Sequence, residues 1–227
     1  MKTNVWCLQN INLFNEFNRE DMLILEKVAS MSPVKKNEPI FLPGDPSREV
    51  YLLKTGRVKI SRITENGKEL TMALLKPGNI FGELEALDGT PRDTLAEALD
   101  DTVLCLIPRD PFLVMLKSKP DLSFRLTKII GFRLRRIESR IEELVYKDVP
   151  TRVAHVLIEM ARDFGTQDDK GTRIGIRLTH QEIANLIGST RETVTATLGD
   201  LRRQGFLEFD NRSILITNLD RLSSLPK

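Results

Sequence analysis

The sequence predicts an α+β chain in three parts: a segment of short strands, one long helix, and a small domain in which two helices precede a hairpin. Three observations predict it. Residues 34–108 break into short alternating apolar runs, YLLKTGRVKISRI, ELTMALLK and VLCLI, separated by the turn groups PGDPS, ENGK, KPGN and DGTPR. Residues 121–147 hold no proline and a single glycine, Gly131. Residues 179–205 carry two helix-start signals only ten residues apart.

The strand-rich segment reads as a barrel or roll. A helix is expected on each side of it. One covers 19–29, with Asn18 as its cap and Met22, Leu25 and Val28 along one side, and the other covers 110–117. Together they make an N-terminal domain of residues 1–120.

The long helix occupies 121–148. At 1.5 Å per residue it reaches about 40 Å, long for a globular domain. Ile130, Leu134, Ile137, Ile141 and Leu144 step by 4, 3, 4 and 3, the spacing of a coiled-coil seam. Leu122, Leu126 and Ile129 form a second stripe suited to packing on the N-terminal domain. One face for the chain's own core and one for a second copy predict a homodimer, although a single-chain core helix would share much of the pattern.

The third part covers 149–227. Thr179 stands three residues before Glu182, and Ser189 three before Glu192, so each pair predicts a capping box. Ile183, Leu186 and Ile187 recur on one side of the first helix, with Ala184 small enough for close approach. Gly188 breaks that helix. Val194, Leu198 and Leu201 repeat the stripe in the second, and Gly205 sits where a left-handed residue would close it. Residues 206–216 then alternate around Asp210, Asn211, Arg212 and Ser213, a hairpin with a polar turn. Helix, turn, helix and hairpin make a winged helix-turn-helix; the plainer alternative is an αα-hairpin with solvated charges.

In the winged reading the second helix enters the major groove of double-stranded DNA. Its first turn offers Thr190, Arg191, Glu192, Thr193 and Thr195 to bases and phosphates. Thr179, His180, Ser189, Ala196 and Arg202 complete the candidate DNA-contacting set. A symmetric dimer would hold two such helices about 34 Å apart and ask for an inverted repeat.

Composition narrows the remaining classes. With 227 residues, 41% of them apolar and 29% charged, the chain can bury one or two cores. No run approaches the roughly 20 apolar residues of a membrane span, and no signal-peptide core opens the chain, so no membrane partner and a cytoplasmic location are expected. The net charge of +2 is not that of a strongly basic nucleic-acid binder. From 149 to 227 there are 11 Lys/Arg against 10 Asp/Glu, so Arg191, Arg202, Arg203 and Arg212 must share one face while Asp163, Asp168 and Asp169 lie elsewhere.

Two cysteines, Cys7 and Cys105, are too few for an iron–sulfur cluster on one chain. Cys105, inside VLCLI, reads as core; a thiol switch through either residue stays open. Haem is disfavoured because His155 and His180 lie far in sequence from the strand-rich segment, and no metal site is expected. Glu83 and Glu85, read as strand-end acids, lack a His, Cys or Ser partner and make a poor catalytic pair, so the chain is not read as an enzyme.

The order of these parts coincides with two motifs. GRVKISRITENGKELTMALLKPGNIFGELEALDGTPR, followed by GSTRETV, resembles the family of the cyclic AMP receptor protein and the fumarate and nitrate reduction regulator. The resemblance covers nearly the whole chain. It implies a cyclic-nucleotide-binding-like β-roll that senses a small molecule, and a homodimeric transcription regulator of the activator type. It also implies RNA polymerase as a partner, alongside DNA and a second copy of the chain.

The effector set follows from the same resemblance. Gly82, Glu83, Leu84 and Arg92 match the phosphate cradle of cyclic-nucleotide-binding members, but Asp93 stands where they carry a hydroxyl or a small residue. Its carboxylate, with Glu97 nearby, would repel a phosphate. The paired hydroxyls that hold adenine fall at Ile137 and Glu138, which cannot replace them. Cyclic AMP is therefore disfavoured. PDLS, RDFG, GSTR, TVT and LGDLR are similar to the cyanobacterial nitrogen regulators that sense 2-oxoglutarate, in which an Arg and a Glu of the long helix meet the dicarboxylate. Arg133 and Glu138 fall at those positions, while that branch's roll arginine aligns with Thr94 and Arg92 is displaced by two. A solvated or interhelical ion pair is the competing reading of Arg133 and Glu138.

The resemblance also implies a DNA code. Arg191 and Glu192 coincide with residues that address a G and a C of a TGTGA-like half-site, and Ala196 replaces a second arginine, relaxing one position. The alternatives left open are an effector-independent or thiol-regulated factor, and a ligand-binding dimer that no longer binds DNA.

Overall fold

The computed structural model describes residue 25 and residues 27–210 and 213–224. Asn18, Met22 and Cys7 therefore lie outside the described residues, as do Asn211 and Arg212 of the hairpin turn. Of the expected first helix, Leu25, Lys27, Val28 and Ala29 are described; the first three are helical and Ala29 is not. The chain forms two compact units, one ending at Arg133 and the other beginning at Leu134, so the division falls inside the long helix.

The first unit contains eight described strands: β1 Ser30–Val34, β2 Pro39–Phe41, β3 Glu49–Thr55, β4 Val58–Ile63, β5 Glu69–Leu75, β6 Ile80–Phe81, β7 Leu95–Ala98 and β8 Thr102–Pro108. They make two four-stranded sheets, β1-β8-β3-β6 and β2-β7-β4-β5. Period-two alternation explains how one strand serves two cores. In β3, Tyr51 and Leu53 join Phe41, Val58, Phe81 and Ala96 in a cluster drawn from both sheets, the interior of the roll. Val50 and Leu52 point the other way, into a cluster with Cys105 and Ile107 of β8 and with the helices.

Those helices are α1 Glu83–Asp88, α2 Arg109–Ser118 and α3 Pro120–Tyr146. Leu122 and Leu126 of α3 pack with Phe112 and Met115 of α2, as the second stripe predicts, and Ile129 lies against the same cluster. Ile130, read as the start of the dimer seam, is also partly buried against this core. The rest of the seam is uncovered in the single chain: Leu134 is 55% exposed, Ile137 39%, Ile141 56% and Leu144 48%.

One sequence expectation fails in this unit. Glu83 and Glu85 are not strand-end acids; they open α1, because Gly82 at φ 71 turns the chain through the left-handed region directly after β6.

In the second unit α4 Val149–Phe164 starts at Asp148, whose carboxylate accepts from Thr151 N. Next come β9 Gly165–Asp168, β10 Gly171–Ile174, α5 His180–Ile187, α6 Arg191–Arg203, β11 Leu207–Asp210, β12 Ser213–Ile216 and α7 Leu219–Ser223. The expected hairpin is β11–β12, and it belongs to a larger sheet, β11-β12-β10-β9.

A ladder of ion pairs and a carboxylate–imidazole contact joins the end of α3 to α4. Arg136 meets Glu159 at 3.3 Å and Asp163 at 3.5 Å, Arg140 meets Glu159 at 3.6 Å, and Glu143 meets His155 at 2.6 Å. As the residue number climbs on one helix it falls on the other, as antiparallel neighbours require. Asp163 is thus held at a helix pair, and Asp168 is paired with Arg173 at 3.6 Å.

Candidate DNA-reading helix and effector pocket

The α5–α6 pair is built from its caps. Thr179 accepts from Glu182 N while the Glu182 carboxylate accepts from Thr179 N, a complete capping box. The second cap is displaced by one residue from the expected Ser189. Ser189 N donates to Ala184 O at 3.0 Å, closing α5 behind the left-handed Gly188, so its backbone still belongs to the first helix. Thr190 is the extended residue that caps α6, accepting from Thr193 N. The box with Glu192 consequently does not form. At the other end Phe206 N donates to Leu201 O and Gly205 N to Arg202 O, both at 3.0 Å, the paired bonds that end a helix around a left-handed glycine.

Val194, Thr197, Leu198 and Leu201 face the core, which leaves Glu192, Thr195, Ala196, Gly199 and Arg202 as an outer face. Arg191 and Thr193 are exposed at its N-terminal end. Thr195 is less available than its exposure implies, because its hydroxyl donates to Arg191 O at 2.8 Å and lies 2.7 Å from His180 Nδ1. Of the four arginines expected on one face, Arg191, Arg202 and Arg203 are exposed, the last paired with Asp200, and Arg212 lies outside the described residues. Arg202 also sits 5.9 Å from the centre of the Phe209 ring.

Of the effector candidates, Gly82, Glu83, Arg92 and Arg133 meet around α1. Arg92 is 2% exposed, its guanidinium 4.5 Å from the centre of the Phe41 ring and 5.5 Å from that of Tyr51. Nη1 donates to Gly82 O at 2.7 Å and meets Glu85 at 3.3 Å, and Nη2 donates to Glu49 O. Nε is buried without a hydrogen-bond partner among the described residues. Burial, followed by the Glu49 carboxylate, pushes the Tyr51 hydroxyl up to about 12, so it remains a donor, bonded to Glu49 at 3.1 Å.

Glu83 is 1% exposed and meets Arg133 at 2.5 Å; Arg133 also donates to Ile80 O. Burial pushes the Glu83 carboxyl above its usual range, and the Arg133 guanidinium pulls against that shift. Asp93 does not stand as an unpaired charge: it is 59% exposed and forms an ion pair with Arg62. Glu97 is likewise engaged, 3.4 Å from Lys59. Leu84 is 51% exposed and Thr94 is half-buried. Glu138 is exposed on α3, beyond the end of the first unit.

Sequence reasoning brought Arg92 and the Gly82–Leu84 segment together. It missed that Arg133 engages Glu83 rather than Glu138, and that Arg92 is held by main-chain oxygens. A separate cleft of 460 Å³, lined in part by Arg48, Thr90, Pro91, Arg109 and Pro111, involves none of the nominated residues. Arg109 Nε donates to Ala86 O and so holds the far end of α1. Cys105 is 2% exposed. Among the described residues there is no cluster of metal-ligating side chains, and no helix is long and apolar enough to cross a membrane.

Comparison with known proteins fits this geometry. Residues 32–119 match the cyclic nucleotide-binding domain family, and residues 151–225 match the Crp-like helix-turn-helix domain family. The CRP-like cAMP-activated global transcriptional regulator of Mycobacterium tuberculosis is 33% identical over 206 residues, covering 90% of this chain and 92% of that protein. The global nitrogen regulator of Synechocystis is 38% identical over 190 residues, covering 83% and 84%. Among solved structures, FixK2 from Bradyrhizobium japonicum superposes with a TM-score of 0.77 at 29% identity, over 88% of this chain and 98% of that one.

Proposed function

Because the chain belongs to the cyclic AMP receptor protein and fumarate and nitrate reduction regulator family of transcription regulators, we propose that it acts as a homodimer that reads a degenerate TGTGA-like inverted repeat under the control of a small anion. The outer face of α6 carries this reading: behind the Thr190 cap it offers Arg191 and Glu192 to the groove, with the small side chains of Thr195 and Ala196 one turn on. Arg191 supplies two donors to guanine O6 and N7, and Glu192 accepts from cytosine N4. The exposed seam Leu134, Ile137, Ile141 and Leu144 supplies the second copy. RNA polymerase is the further partner, the cytoplasm the location, and no enzymatic activity is assigned.

The effector we propose is a 2-oxoglutarate-like dicarboxylate, with cyclic AMP as the weaker candidate. Two buried or half-buried guanidinium groups, Arg92 and Arg133, flank α1, and guanidinium binds carboxylate through paired charge-assisted bonds. An arriving dicarboxylate would take Arg133 from Glu83, a competition that shifts the population of the two states. That same closure favours a second reading in which no effector is required, since Glu83 and Glu85 already neutralise both arginines. Calorimetric titration separates the two: heat of binding at millimolar 2-oxoglutarate, lost in Arg133→Ala, supports the first, and its absence supports the second. For the DNA, Arg191→Ala is expected to lose specificity, and full retention would overturn the assignment.

A further inference from the structure

Thr195 lies in the middle of the outer face of α6, between Glu192 and Ala196 in the helical row. Its hydroxyl has one proton, and that proton goes to Arg191 O at 2.8 Å. The contact of 2.7 Å to His180 Nδ1 must therefore be donated by the imidazole, whose Nδ1 carries a hydrogen in this arrangement. The donor and one lone pair of the hydroxyl are spent within the protein, one along α6 and one back to the start of α5. A threonine carries two groups on Cβ, and with Oγ1 tied down in both directions the γ-methyl is what the exposed side chain offers.

Resting on the reading of α6 as the DNA-contacting helix, we infer that His180 is a positioning residue: it holds Thr195 so that its methyl, not its hydroxyl, meets the groove, and this part of the helix selects thymine. Ala196 beside it adds a second methyl, and Gly199 one turn on has open space where a Cβ would stand. Hydrogen-bond readout then falls to Arg191 and Glu192 at the start of the face and Arg202 at its end, and the middle of the helix reads by apolar contact. In the major groove the apolar mark is the C5-methyl of thymine. In the sequence Thr195 and His180 read as two separate contacts; the geometry makes one the support of the other.

The test uses the whole 227-residue chain and a site selected from randomised duplexes. Each thymine of one half-site is replaced in turn by deoxyuridine, which removes only the C5-methyl, and affinity is read by fluorescence anisotropy. One replacement is expected to weaken the wild type about fourfold, the worth of one apolar carbon removed from water. Thr195→Ser, which keeps the hydroxyl and loses the methyl, should abolish that sensitivity. His180→Ala should reduce it while leaving the guanine preference opposite Arg191 intact. Adding Thr195→Val to His180→Ala should restore it, because valine presents a methyl without needing an anchor. A merely structural role for His180 would not show this rescue. Undiminished sensitivity in Thr195→Ser or in His180→Ala, or no sensitive thymine in the wild type, would overturn the inference while leaving DNA recognition standing. A selection that yields no preferred sequence would overturn both.

Discussion

Removing Arg133 should destabilise the first unit most at neutral and alkaline pH and least in acid. Glu83 is 1% exposed, and burial pushes its carboxyl above the usual range even with the Arg133 guanidinium 2.5 Å away. An acid whose folded pKa is raised keeps its proton longer in the folded chain. Stability therefore falls as pH rises from the ordinary glutamate range through the raised value. Arg133→Met keeps much of the aliphatic reach and deletes the charge, leaving the carboxylate buried alone and raising its pKa further. Breaking a buried pair from one side costs about 3–5 kcal/mol. The Arg133 side chain is 30% exposed, which places the expected cost near the lower end. At about 2–4 °C per kcal/mol for a chain of this size, Tm at pH 8 should drop by about 6–12 °C. At pH 5 the deficit should shrink, because Glu83 can take a proton. Glu83→Gln combined with Arg133→Met removes both charges and should cost less than Arg133→Met alone. Thermal unfolding of the wild type, Arg133→Met and the double variant at the two pH values checks this. A deficit equal at both, or a double variant worse than the single one, would refute the buried-charge reasoning.

Further consequences are as direct. Thr190→Ala should cost about 1 kcal/mol in urea unfolding and Ser189→Ala clearly less, since only Thr190 caps α6; the reverse order would restore the cap to Ser189. Gly82→Ala should destabilise by about 1–3 kcal/mol, because φ is 71 and the new Cβ would lie 2.7 Å from Arg92 Nη1, and calorimetry should show weakened effector binding. Ile141→Asp, at a seam position 56% exposed in the single chain, should yield a folded monomer in sedimentation velocity; an intact dimer would move the interface elsewhere.

What the sequence disclosed followed burial. Leu122 and Leu126, and the stripes of α5 and α6, were legible because each buries one face of a helix, and burial writes a period of 3.6 into the chain. β9 escaped because all four of its residues are exposed, so Gly165–Asp168 carries no apolar alternation. The Ser189 and Thr190 error has a similar origin: both can cap, and the choice depended on a main-chain bond from Ser189 to Ala184. Around the effector candidates, residue types were readable but pairings were not. Glu83 and Arg133 are separated by 50 residues, and Arg92 is held by the carbonyl oxygens of Gly82 and Glu49, groups that every residue possesses. Asp93 shows the converse, a loop charge whose expected effect was offset by Arg62 of β4.

Fluorescence anisotropy of the purified protein against a TGTGA-type inverted repeat and a scrambled duplex, over a range of salt, tests the DNA-reading assignment most directly. Preference for the repeat is expected, with affinity falling as salt rises and a loss of about 1–3 kcal/mol in Arg191→Ala. Equal affinity for the two duplexes, unchanged by Arg191→Ala, would contradict sequence-specific reading by α6.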